Sequence, residues 1–296
     1  MSAFDPMELD SNHAGFVLAV CADRFYAALL PFAVSDPGAG AGPNDGPNAN
    51  DGPNDGPNLG GQFLYAGELD DEGRALLVAA NVLGAATLTA TADAAAQKRA
   101  AREGVADFLV TTLDEALRIL KNQLRKREGV AVCVTARPDA LEREMEERGM
   151  QPDLVAFGLS GLARFPACFQ ESARHVEHAA ASPNRSVITW TAESSAAIWL
   201  PKLDALALEC LMAEEWPAEW AARRWLRLAP RYFGRLTQDR RILSCDVRAA
   251  RQIFARIESA VESGEIGAPV WISMSSVAGT QSAHATPPAA SSPVVI

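Results

Sequence analysis

Cysteine is scarce in this sequence of 296 residues, and its five cysteines are widely spaced and odd in number. They are Cys21, Cys133, Cys168, Cys210 and Cys245. This pattern argues against a disulfide framework or a zinc cluster and favours a reducing compartment. The sequence also shows neither an apolar run of the roughly 20 residues that cross a bilayer nor a basic, apolar leader after Met1. We therefore expect a cytoplasmic protein without a membrane segment.

Motifs of familiar catalytic chemistries are missing as well. There is no Ser/His/Asp arrangement, phosphate-binding P-loop or paired metal motif. His175 and His178 would share one face of a helix, but the nearby Cys168, Glu171 and Glu177 do not complete a typical zinc site. We therefore interpret the pair as incidental histidines on a solvated helix. We predict no metal ligands and assign no catalytic residue.

Residues 85–155 alternate apolar strands with amphipathic helices. The predicted strands begin at Ala86, Phe108, Val130 and Leu154. Strands that alternate with helices of about 10 to 15 residues are typical of a parallel sheet with crossover connections. The predicted fold class is α/β, with a Rossmann-like parallel sheet and helices on both faces. The strands from Ala86, Phe108 and Val130 should be parallel neighbours.

The helix predicted from Leu113 is the clearest single element. Thr112 can cap it, and Glu115 can return a hydrogen bond to the N–H of the cap. Leucines recur on one face at helical spacing. Gly129 then permits the turn into the next strand.

Three segments, in this order, resemble the central nucleotide-binding domain of urocanase, the urocanate hydratase of histidine degradation. They are residues 101–107 (AREGVAD), 111–120 (TTLDEALRIL) and 147–155 (ERGMQPDLV). The resemblance covers residues 64–160. It implies a Rossmann-like, NAD-binding domain from a family of lyases.

The resemblance also implies a cofactor site, because urocanase holds the NAD pyrophosphate in a glycine-rich turn before a helix. The implied cofactor-binding residues are Gly67, Gly73, Gly84, Thr91 and Asp93. Thr91 stands where a family member would present an acidic ribose ligand, and Asp93 could only partly substitute.

The turn departs from the family pattern in its charge. Asp70, Asp71 and Glu72 would bring carboxylates toward a dianionic pyrophosphate. Such residues are favourable at a helix N-terminus, so we expect the turn to satisfy its helix dipole with protein groups. We therefore predict that NAD binds weakly or not at all.

The sequence supports three functions of different classes. Because it has no counterpart of the long substrate-binding segments of urocanase, we favour a urocanase-related binding or accessory module without complete hydratase chemistry. One alternative is an NAD-dependent lyase of urocanate hydratase type that assembles its substrate site with a protein partner or in a homo-oligomer. The other is an anion or nucleic-acid binder.

The third hypothesis depends on residues 214–256, which contain ten arginines, no lysine and five acids. Rings and guanidinium groups interleave at Trp220, Arg223, Arg224, Trp225, Arg227, Arg231, Tyr232 and Arg235. Arginines with aromatic rings can bind phosphates and stack on unpaired bases. Alternatively, the arginines pair with acidic surfaces of the first domain, and the apolar side chains pack inward, namely Trp220, Trp225, Leu226 and Leu228. The sequence pI near 5.0 argues against a nucleic-acid partner.

The predicted domain organisation has six segments. Residues 1–37 form a strand at 16–20 and a short helix, 38–61 a flexible Gly/Pro/Asn insertion, 62–160 the Rossmann-like domain, 161–186 a linker, 187–274 an α+β region and 275–296 a disordered tail. The Gly-Pro-Asn motifs repeated within the insertion contain no apolar residues, and its few carboxylates do not make a calcium cage.

We expect residues 38–58 to be dispensable for folding. Replacing them with a short Gly/Ser linker should change the melting temperature little, because the entropy of loop closure varies slowly with loop length. Thermal denaturation of both chains checks this. A loss of several kcal/mol in stability would show that the segment is ordered.

Overall fold

A computed structural model describes residues 6–35, 56–159, 161–177, 185–212, 219–233, 238–276 and 279–285. The chain divides into two compact units. The first comprises Met1–Ala180 with Arg227–Leu236, and the second Ala181–Leu226 with Thr237–Ile296.

The first unit contains the predicted α/β domain. Its elements are α1 (Pro6–Ser35), β1 (Phe63–Glu68), α2 (Asp71–Leu83), β2 (Ala86–Ala90), α3 (Ala94–Glu103), β3 (Phe108–Val110), α4 (Leu113–Lys126), β4 (Val130–Val134), α5 (Pro138–Glu147), β5 (Leu154–Ala156) and β6 (Arg174–Val176). The strands form one parallel sheet in the order β3-β4-β2-β1-β5-β6. Helices cover both faces, which confirms the predicted fold class.

The three strands predicted to be parallel neighbours are adjacent, with β4 between the other two. Ala86 of β2 pairs with Val130 of β4, and Phe108 of β3 pairs with Val132. Both pairings are parallel, so this prediction is confirmed. β3 is a short edge strand, which explains why Phe108 and Leu109 are partly exposed.

The core between the sheet and helices α4 and α5 follows the predicted periodicity. Leu113, Ala116 and Leu120 of α4 pack there with Leu141 and Met145 of α5. The helical stripe of α4 is therefore its buried face.

The cap of α4 differs slightly from the prediction. The hydroxyl of Thr112 accepts from the backbone N–H of Glu115, whose carboxylate accepts from the N–H of Thr111, one residue before the cap. The left-handed residue after the helix is Arg127, not Gly129. Gly129 is needed for close packing instead, since an added Cβ would lie 2.9 Å from the Cα of Gly84.

The N-terminal strand predicted at residues 16–20 is wrong, because this segment belongs to helix α1. Buried residues recur along α1 at helical spacing and include Leu18, Ala22 and Leu29. α1 packs on α2, whose residues are buried without interruption from Gly73 to Leu83. An apolar run of this length is compatible with a strand or a helix, and its packing on α2 favours the helix.

The expectation that no segment is long and apolar enough to cross a membrane is also corrected. Val17–Ser35 meets that criterion by length and composition, and half of it is buried in the protein. A buried core helix meets the same criterion.

Two predicted boundaries of the first unit differ from the structure. The predicted linker contains β6, which pairs with β5, so His175 lies in a strand and not on a helix. His178 lies outside the described residues. Of the predicted insertion, residues 38–55 lie outside the described part, while Leu59 is fully buried and donates its N–H to the carbonyl of Leu83 at 2.7 Å. The ordered domain therefore starts before residue 62.

The remaining elements confirm the predicted C-terminal α+β region. They are β7 (Arg185–Ala192), α6 (Ala196–Met212), α7 (Glu219–Phe233), β8 (Arg240–Asp246), α8 (Val247–Glu262), β9 (Val270–Ser276) and β10 (Gly279–Ala285). The strands form an antiparallel sheet in the order β10-β9-β7-β8. Residues 275–285, predicted to be a disordered tail, include the end of β9 and all of β10, and residues 286–296 lie outside the described part.

Candidate functional site

The strand order places a topological switch point between β1 and β5. The chain leaves β1 toward β2 on one side, whereas β5 lies on the other side and leads to β6. Ligands of open α/β sheets bind in the crevice at the carboxyl ends of such strands. Two segments meet here: residues 67–73, called the β1–α2 turn, and residues 157–159 with 161–165, called the β5 loop.

A carboxylate of the β1–α2 turn caps the N-terminus of α2. Asp70 is the N-cap of α2, and its Oδ1 accepts from the backbone N–H of Gly73 at 2.7 Å. The backbone N–H of Arg74 donates to the carbonyl of Asp70 at 2.9 Å. One of the first-turn N–H groups that lack an intrahelical partner, that of Gly73, is thus bonded to the N-cap carboxylate.

Arg164 of the β5 loop lies directly on this turn, and its side chain is only 9% exposed. Its Nη2 and Nη1 donate to the two carboxylate oxygens of Asp70 at 2.7 and 3.1 Å. Its Nε donates to the carbonyl of Ala66 at 3.2 Å, and its Nη2 also donates to the carbonyl of Glu68. Nη1 lies 3.5 Å from Oε2 of Glu72. Arg164 therefore fills the crevice at the switch point.

Both glycines of the turn make room for the protein's own chain. Gly67 has a φ of +74°, and an added Cβ would lie closer than 3.0 Å to the carbonyl oxygen of Arg164. An added Cβ at Gly73 would lie closer than 3.0 Å to both the carbonyl oxygen of Glu68 and Nη2 of Arg164. The β5 loop, rather than an open space, faces these glycines.

The sequence of this α/β domain matches a known domain family. Residues 54–160 match the family model of the urocanase Rossmann-like domain. The match covers about a third of the chain and contains β1 to β5. No curated protein matches the chain. Arg164 lies just beyond the matched residues.

The urocanase-like domain brings only some of the implied cofactor-binding residues together. Gly67 and Gly73 lie at the crevice, and Thr91 and Asp93 follow the carboxyl end of the neighbouring strand β2. Gly84 ends α2 in the left-handed conformation and precedes β2. It therefore lies at the opposite, amino-terminal edge of the sheet.

Thr91 and Asp93 have local partners in the urocanase-like domain. The hydroxyl of Thr91 accepts from the N–H of Asp93 at 3.2 Å, and its carbonyl accepts from the side chain of Gln97 at 2.8 Å. Asp93 caps α3 by accepting from the N–H of Ala95 at 2.8 Å. Both residues thus have a structural role at the start of α3, and their role toward a ribose stays a prediction.

The carboxylates of Asp70, Asp71 and Glu72 all have cationic partners. Arg164 contacts Asp70 and Glu72, while Asp71 pairs with Arg74 at 3.2 Å and with Arg99 at 3.4 Å. Simple repulsion between these acids and a phosphate is therefore an incomplete account. Arg164, the partner of Asp70 and Glu72, also lies against Gly73 at the start of α2, where a phosphate would approach.

The residues of this turn do not fit an NAD pyrophosphate. A dinucleotide phosphate needs free N–H donors at the start of the helix and close approach to the glycines. Here the N–H of Gly73 is bonded to Asp70, and the N–H of Leu159 in the β5 loop points to Oε2 of Glu72 at 3.3 Å. The crevice presents acceptors, which suit a cation.

Other chemical groups are dispersed through the described residues. Tyr65 donates its hydroxyl to Glu142 at 2.8 Å, and burial raises the pKa of both side chains. The ring of His175 contacts the rings of Phe157 and Phe165, which also contact each other. Among the residues that the structure describes, no group of three or more His, Cys, Asp or Glu could hold a metal ion.

The Arg/Trp region is buried only in part among its described residues, since Trp220 is half-buried and Arg227 and Arg231 are exposed. Trp225, Leu226 and Leu228 are buried, and Nε1 of Trp225 donates to the carbonyl of Ile242 at 2.9 Å. Arg224 is also buried. This agrees with the packing interpretation for those apolar side chains, while Arg235 lies outside the described residues.

Proposed function

We propose that this protein is a urocanase-related, Rossmann-like binding or accessory module that does not perform the hydratase reaction. The observation that carries the proposal is the bidentate contact of Arg164 with Asp70 at the switch point. This contact supports the view that a side chain of the protein itself, that of Arg164, occupies the crevice.

The alternative function is an NAD-dependent lyase of urocanate hydratase type. The match of residues 54–160 to the urocanase domain favours it, because domains of this type bind nucleotides. This alternative requires NAD to displace Arg164 from the turn. It also requires urocanate consumption that depends on NAD.

We expect the unmodified protein to bind NAD no more tightly than about 1 mM, equivalent to roughly 4 kcal/mol of binding free energy. The variant Asp70→Gly, Asp71→Gly, Glu72→Ala should bind NAD more tightly, because it loses the acids and leaves the guanidinium of Arg164 for a phosphate. Isothermal titration calorimetry with NAD measures both affinities. Urocanate absorbance, followed with NAD present, tests turnover in the same samples.

The control is the same triple variant with Arg164→Ala added. It should lose the gain in affinity, since the phosphate then has no guanidinium partner. Micromolar binding of NAD by the unmodified protein would contradict the proposed function. NAD-dependent loss of urocanate would establish the lyase alternative.

A further inference from the structure

The crevice at the switch point is lined by hydrogen-bond acceptors, which we call the acceptor ring. It consists of the backbone carbonyls of Ala66 and Glu68 and the carboxylates of Asp70 and Glu72. The nearby backbone N–H groups of Gly73 and Leu159 already donate to those two carboxylates. A ligand that enters this ring must therefore supply donors and positive charge.

The arrangement of the ring matches the planar shape of a guanidinium. Nε of Arg164 contacts one acceptor, while Nη1 and Nη2 each contact two. The carboxylate of Asp70 accepts two of these bonds, from Nη2 at Oδ1 and from Nη1 at Oδ2. A guanidinium offers five N–H donors in one plane, whereas an ammonium offers three around a point. The ring therefore favours a guanidinium over other cations.

The backbone around the ring is shaped to the same group. Gly73 leaves the space that Nη2 of Arg164 occupies, and Gly67 leaves the space for the Arg164 carbonyl. The side chain of Arg164 is almost completely buried, so its charge depends on these acceptors for solvation. Shape, charge and donor pattern thus indicate one class of ligand.

We propose that the switch-point crevice of this protein is a guanidinium-binding site, with Arg164 as its resident ligand. The inference rests on the proposed function, because it requires that the crevice does not hold a dinucleotide. When the Arg164 side chain is removed, the acceptor ring binds a small guanidinium from solution. It does not bind phosphate or NAD.

The test compares the unmodified protein with Arg164→Ala in thermal denaturation. The variant should melt roughly 5 °C lower, because the turn loses the hydrogen bonds that Arg164 donates, while water can replace the guanidinium at the half-exposed carboxylate of Asp70. Methylguanidinium chloride at about 20 mM should raise the melting temperature of the variant by roughly 2 °C, as expected for a ligand at about twice its dissociation constant. Methylammonium chloride should not. The unmodified protein, whose site is filled, should not respond to either cation.

A second variant, Arg164→Ala with Asp70→Asn, should lose the response to methylguanidinium, because it lacks the bidentate acceptor. If the alanine variant does not fold, the same comparison is made with Arg164→Gln. Equal responses to the two cations, or stabilisation of the variant by NAD or pyrophosphate, would overturn the inference. These outcomes are separate from NAD binding by the unmodified protein, which tests the proposed function alone.

Discussion

Replacing Gly67 with alanine is expected to lower the free energy of unfolding by roughly 3 kcal/mol or more. Two causes add. The residue has a φ of +74°, a conformation that costs an L-residue about 1 kcal/mol. The new Cβ would also overlap the carbonyl oxygen of Arg164, which belongs to the backbone and cannot rotate away. The β5 loop would have to move from the turn.

Gly149→Ala is the matched control for the backbone term. Gly149 has a φ of +62°, and an added Cβ there would meet nothing within 4 Å. Its substitution should therefore cost only about 1 kcal/mol. Urea denaturation of the two variants and the unmodified protein gives both values. Equal losses would show that contact with the β5 loop does not decide the cost at Gly67.

The α/β sheet could be predicted because its signals are local. β2 and β4 are short apolar runs buried on both faces, as central strands of a parallel sheet are. The cap at Asp70 could also be anticipated, because an acidic N-cap and the N–H that it accepts are only three residues apart. Hydrophobic periodicity and helix capping depend on residues that are only a few positions apart, so the sequence alone reveals them.

Features that depend on tertiary contacts could not be predicted from such signals. β6 has three residues and is defined by its pairing with β5, whereas β10 pairs with β9 through its backbone. Helix α1 packs on α2, and this tertiary contact is not visible in the sequence of α1 itself. Element boundaries in these regions were therefore wrong.

The candidate site was only half visible for the same reason. The sequence showed the three acids at residues 70–72, but Arg164 is 94 residues from Asp70 and belongs to no motif. The predicted repulsion of phosphate therefore lacked the cation that offsets it. The long-range contact between Arg164 and Asp70 changes the interpretation of the turn. The turn holds a guanidinium, whereas its sequence alone predicts only that it repels an anion.

The second unit is expected to lose stability as the pH rises through about 6. Asp204 of α6 accepts from Nε of Arg241 at 2.9 Å and from Nε1 of Trp190 at 3.3 Å. Burial raises the pKa of Asp204 to about 6, although the charge of Arg241 opposes this rise. The cost of removing the carboxylate from water thus exceeds the stabilisation by its partner.

The direction of the pH effect follows from proton binding. Because the pKa of Asp204 is higher in the folded than in the unfolded chain, the folded state binds more protons between about pH 4 and 6. The resulting stabilisation is complete below the unfolded pKa near 3.9 and is lost as the pH rises through the folded pKa. A shift of about two units corresponds to roughly 3 kcal/mol.

The variant Asp204→Asn isolates this contribution. Its amide oxygen can still accept from Trp190, but the side chain does not ionise. Denaturation between pH 4 and pH 8 should therefore show the unmodified protein losing roughly 3 kcal/mol relative to the variant as the pH rises. Asp239→Asn, which removes a carboxylate that is 46% exposed, corrects for the general change in net charge. If the unmodified protein instead gained stability relative to Asp204→Asn above pH 6, the ion pair with Arg241 would outweigh the desolvation of the carboxylate.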